Sequence, residues 1–162
     1  MKQHNVTEKA ISGNKFYIRP FGAFISANLS GEIMSLITPI IASVAPALSG
    51  AVSENSDDMN LLDIDAETVA PALAKGLAGI SGDKIEKLLK KLLVQHKNIA
   101  VELEGEKEPE NLTEDIANEI FCGDTQDMFI LAFEVIKVNY SGFFKSLGGQ
   151  FGKAVNGLLQ KG

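Results

Sequence analysis

The chain is predicted to fold as one α+β domain, mostly helical, with a small antiparallel sheet built from an N-terminal hairpin and one later strand. Three observations predict this. Two β-compatible runs flank a turn at Ser12-Gly13-Asn14, the composition of a tight hairpin. Further on, Ile99, Val101 and Leu103 alternate with Ala100, Glu102 and Glu104, the period of a half-buried strand. Elsewhere apolar residues recur at spacings of three and four, the period of helices. With 162 residues, 45% of them hydrophobic and 22% charged, the chain can bury one sizeable core.

The elements follow in order. Residues 5–11 and 15–21 form the hairpin, with Phe16 and Ile18 on one face and Tyr17 and Arg19 on the other. Pro20 has no N–H to donate, so it ends the second strand or sits at an edge. From Phe21 to Gly31 the pattern is helical, with Phe24, Ala27 and Asn28 close to one face. Residues 33–53 contain no charge. Their length meets the roughly 20 residues needed to cross a bilayer. Pro39, Pro46 and Gly50, with acidic residues on both flanks and no Lys/Arg bias, argue against insertion. A core helix broken near Pro46 and an apolar partner surface are the other readings. Residues 53–61 are an acidic loop, and residues 65–78 resume as a helix.

Residues 83–95 form the cleanest amphipathic helix. Ile85, Leu88, Leu89, Leu92 and Leu93 line one side, and Lys84, Lys87, Lys90 and Lys91 the other. A strand over residues 98–103 joins the hairpin, because two strands alone are marginal. Residues 105–111 read as a charged loop. Thr113 or Asn111 caps the next helix, and Cys122-Gly123 ends it. Asp124 or Thr125 caps the last long helix, which is expected to reach about Lys145. Asp127, Glu134, Lys137, Ser141 and Lys145 form one narrow polar stripe on it, and apolar residues cover the rest. Phe129, Phe133, Ile136 and Tyr140 are expected to be mostly buried. The domain spans residues 1–147, and residues 148–162 form a Gly-rich tail, flexible or weakly helical.

The run EIFCGDTQDMFILAFEVIKVNYSGFF, from Glu119 to Phe144, resembles the C-terminal signature of the tail assembly chaperones of long-tailed bacteriophages and prophages. KFYIRPFGAF, from Lys15 to Phe24, is similar to that family's N-terminal segment, and KIEKLLKKLL, from Lys84 to Leu93, to its middle. The resemblance implies a binding protein that keeps the apolar, helical tape measure protein soluble while tail-tube subunits polymerise around it. It implies self-association, and contact with the tail-tube protein through a frameshifted longer form. It also implies residence in the host bacterium's cytoplasm and absence from the mature virion. The alternative is a membrane-active or structural protein that inserts residues 33–53 into a bilayer.

Chemistry is sparse. One cysteine excludes an internal disulfide. His4 and His96 lack a pattern that would make either a base or a ligand. No phosphate-binding Gly-rich loop occurs, and Asp57-Asp58 and Asp63-x-Asp65 lack calcium-loop spacing. No catalytic, cofactor or metal residue is therefore assigned. Formal charge is +2 over residues 1–53, −10 over 54–124 and +2 over 125–162. An acidic centre argues against a nucleic-acid partner; it reads first as a solvated face, and self-association between ends and middle is the alternative. Asn5, Asn28, Asn111 and Asn139 head Asn-x-Ser/Thr triplets, which read as turn, cap or helix residues without secretion. The expected partner-binding residues are Ile33, Leu36, Ile37, Ile40 and Ile41 in the uncharged segment, with Phe143, Phe144 and Phe151 near the C-terminus.

Overall fold

Strand β1 (Thr7–Ile11) and strand β2 (Asn14–Ile18) pair antiparallel around Ser12 and Gly13. Both loop residues have positive φ, 52° and 76°. That is the backbone of a two-residue primed turn, whose twist matches the strands it joins. This computed structural model describes residues 5–48 and 78–159, with side chains described at residues 5–36 and 78–142. Strand β3 (Ile99–Glu102) adds to β2, and the short β4 (Glu110–Asn111) adds to β3, giving the order β1-β2-β3-β4. Phe16 lies opposite Val101 and Ile18 opposite Ile99. All four are fully buried, so this face of the sheet meets the core. On the other face Tyr17 donates its hydroxyl proton to Glu102 Oε2 at 2.8 Å.

Helix α1 (Ala23–Leu48) begins just beyond Pro20 and continues through Pro39 and Pro46. Each proline withdraws one N–H from the helical ladder without ending the element. Helix α2 (Gly82–Lys90) runs into a π turn at Lys91–Gln95. The wider turn places the consecutive Leu92 and Leu93 both in the core, 1% and 2% exposed. Helix α3 (Glu114–Phe121) is capped by Thr113, whose Oγ1 accepts the Ile116 N–H at 3.3 Å. Phe121 stacks on Phe16 with ring centroids 5.9 Å apart. Gly123, at φ +86°, then turns the chain into helix α4 (Thr125–Leu159).

The core lies between the sheet and α4. Leu131 and Val135 of α4 are fully buried together with Phe16, Ile18, Ile99 and Val101, and Leu29, Ile33, Leu92 and Leu93 belong to the same cluster. Each such side chain contributes roughly 1.5–3 kcal/mol by leaving water, so the sheet and four helical segments are held by one common set of residues.

Several expectations change. Phe129 and Phe133 lie at the margin of the core, Leu131 and Val135 taking its central seam, and Ile136 and Tyr140 are buried. Glu134, a member of the polar stripe, is 4% exposed. It lies beneath β1, where Lys9 Nζ stands 3.3 Å from its Oε1 and Lys137 Nζ 3.7 Å. Residues 110–111, read as loop, pair with β3 as β4. The last helix extends past Lys145 to Leu159, and it is broken at Tyr140 (φ −126°, ψ 20°). The acidic loop expected over residues 53–61, and all but the last residue of the helix expected over residues 65–78, lie outside the described residues.

Candidate partner-binding surface

The start of α1 and the break in α4 are tied together. The chain leaves β2 through Arg19, whose N–H donates to Asn98 O at 2.8 Å. At Phe21 the backbone N–H precedes the helix and has no helical acceptor. It donates to Asn139 Oδ1 at 2.7 Å. The Asn139 amide in turn donates to Val135 O at 2.8 Å, one turn back along α4. The next residue, Tyr140, donates its hydroxyl proton to Ser26 O at 2.6 Å. Burial raises the Tyr140 pKa above the ordinary tyrosine value, with its Ser26 contact acting in the opposite direction, so the hydroxyl keeps its proton at neutral pH. Phe21 also meets the His96 ring edge-on at 5.7 Å, which makes His96 a packing residue at this junction.

Both sets of expected partner residues lie on the helices that meet here. Ile33 is 2% exposed and belongs to the core. This corrects its assignment to a free surface: it stands four residues after Leu29 on the same buried seam of α1. Leu36 is half-buried. Ile37, Ile40 and Ile41 continue α1, and Phe143, Phe144 and Phe151 lie on α4 beyond Tyr140. The described side chains stop short of these six residues.

One exposed aromatic residue stands outside the expected partner set. Phe24, in the first turn of α1, is 92% exposed, and Ala27, Asn28, Gly31 and Ser35 are exposed with it. Helical geometry carries the signal. Five residues separate Phe24 from Leu29, a rotation of about 140° at 3.6 residues per turn. Placing Leu29 in the core therefore turns Phe24 outward.

The polar periphery is cross-braced. Lys90 reaches Glu86 at 2.8 Å and Glu114 at 3.0 Å. The hydrogen bond to Lys90 holds Glu86 below the ordinary carboxylate value, and the two carboxylates raise Lys90. Lys91 pairs with Glu32 of α1, and Ser12 donates to Asp127 at the start of α4. These contacts join elements and assemble no reactive group. Among the described residues, no group of three or more His, Cys, Asp or Glu is placed to hold a metal ion. Nor is any helix among them long and apolar enough to cross a membrane.

Residues 12–152 match the model of a family described as phage tail assembly chaperone protein. No curated protein matches the chain, and no solved structure matches it.

Proposed function

The chain belongs to the phage tail assembly chaperone family, and from that premise we propose that it binds the tape measure protein and keeps it soluble during tail assembly. A tape measure protein is a long, largely helical, apolar chain. Holding it requires apolar surface offered reversibly, in several copies, with no chemistry performed. The observation that carries this reading is the junction of α1 and α4. Two long helices leave one root, joined there by the Asn139 and Tyr140 hydrogen bonds. Each carries an apolar run: Leu36, Ile37, Ile40 and Ile41 on the first, Phe143, Phe144 and Phe151 on the second. Several copies along one tape measure chain would associate with one another, and a frameshifted longer form would bring in the tail-tube protein. The work takes place in the host cytoplasm before the tail is complete.

Co-expression with a tape measure protein tests the reading. The parent chain should keep the long protein in the soluble fraction and co-purify with it. Ile37→Asp with Ile40→Asp should leave the chaperone folded and abolish solubilisation. A double variant that folds and still solubilises the partner places the interface elsewhere. One that unfolds assigns those residues to the core, as Ile33 is assigned here.

A further inference from the structure

We infer that Asn139 and Tyr140 form a latched hinge, which sets the direction of the distal arm of α4, residues 141–159, through the seat of α1. A sharp break in a helix has an identifiable cause. No proline lies within α4, and the side chains around Tyr140 leave the regular ladder. Asn139 returns its amide to the Val135 carbonyl, a local bond that competes with the regular ladder and bends helices. Its other atom, Oδ1, holds the Phe21 N–H. Tyr140 leaves helical geometry while its hydroxyl holds Ser26. Consecutive residues of α4 thus grip α1 at two points, one just before its first turn and one within it. Two points on the same helix fix orientation as well as position.

The residues beyond the break give the arm freedom to turn. Ser141 and then Gly142 follow, a pair found at helix kinks, and a Cβ at Gly142 would meet nothing within 4 Å. The body before the break is locked, since Leu131, Val135 and Ile136 are in the core. Rotation is therefore confined to the few residues between Ile136 and Gly142, the usual anatomy of a hinge. With both hydrogen bonds made, the arm points in one direction relative to α1. With them released, Tyr140 is free to regain helical geometry or to sample others, and the arm changes direction while the sheet and core stay intact. The hinge concerns this chain alone and stands whether or not its apolar helices meet a tape measure protein.

Pulsed electron paramagnetic resonance on the full chain tests it. Cys122 is exposed and is replaced by serine. Spin labels are then placed at Ser35→Cys on α1 and Lys153→Cys on the arm. The latched chain should give one narrow distance distribution. Tyr140→Phe keeps the ring and removes the hydroxyl, and Asn139→Ala removes the other hold. Each should broaden the distribution or add a second distance, and the two together should do so more strongly. In the same variants the Phe21 amide should exchange with solvent faster on loss of Asn139 and remain protected on loss of the Tyr140 hydroxyl alone. A distribution unchanged by both substitutions overturns the latch, as does one already as broad in the parent. If Asn139→Ala fails to fold, Tyr140→Phe carries the decision on the same readout.

Discussion

At the scale of single residues, the polar atoms near the sheet decide more than the motif search did. Tyr17 is raised above the ordinary tyrosine value first by its hydrogen bond to Glu102, then by burial. Tyr140 is raised by burial. Below about pH 10 both phenols are protonated folded or unfolded. As pH rises further the unfolded chain ionises first, so stability is lost from about pH 10 upward. Phenolate absorbance should therefore titrate above the ordinary value, and Glu102→Gln should bring the Tyr17 half-point back toward it. An unmoved half-point would mean that the Tyr17–Glu102 bond does not exist in solution. Glu134 offers a second prediction. Its carboxylate is buried beside Lys9 and Lys137. Lys9→Ala should cost roughly 1–2 kcal/mol, below the 3–5 kcal/mol of a fully buried pair because Lys137 remains. Lys9→Val with Glu134→Leu should recover most of that loss or exceed it. Chemical denaturation of both variants checks the order. None of this was visible in the sequence, because Glu134 sits at regular polar spacing on its helix and Lys9 belongs to the opposite end of the chain.

At the scale of elements, legibility followed the strength of the local signal. The hairpin was readable because a turn dipeptide with a fixed backbone demand lies between two alternating runs. Gly13→Ala tests that demand. At φ +76° a side chain is disfavoured by about 1–2 kcal/mol. The nearest atom to the added Cβ, Glu104 Oε2, is at an ordinary 3.5 Å. The substitution should thus lower stability by that conformational amount and leave the strand register intact; a register shift in amide spectra would contradict it. Helix α3 was equally readable, with Thr113 before it and Gly123 after. Strand β4 was not, since two residues carry no period and the strand exists only because β3 offers an edge. The break in α4 was hidden for a related reason. Ser141-Gly142 is the one local sign of it, and its hydrogen-bond partners Phe21 and Ser26 lie at the start of α1, far away in the sequence. The expected partner residues split along the same line: Ile33 repeats the spacing of Leu29 and is core, and spacing alone could not separate it from its uncharged neighbours.

At the scale of the whole molecule, α1, the π turn, α3, α4 and the sheet share one cluster of buried residues, and Leu88 and Leu89 of α2 pack against it. They should therefore unfold together. In a Tyr140→Phe background, Tyr17 fluorescence reports the sheet and far-UV circular dichroism reports the helices, and the two transitions should coincide. Leu131→Ala, at the centre of the cluster, should shift both midpoints equally and cost about 2–5 kcal/mol. Separate transitions would mean two cooperative units in place of one. The buried carboxylate under β1 has a consequence at this scale. Among the described residues strand β1 ends the sheet, so no described strand pairs with its outer edge. An extended sheet would have to continue its dry face across the Lys9–Glu134 pair, which is a known way of making a sheet edge unwelcoming. If its helices hold an aggregation-prone client, as proposed above, the chain has to be sticky along those helices and inert along its strands.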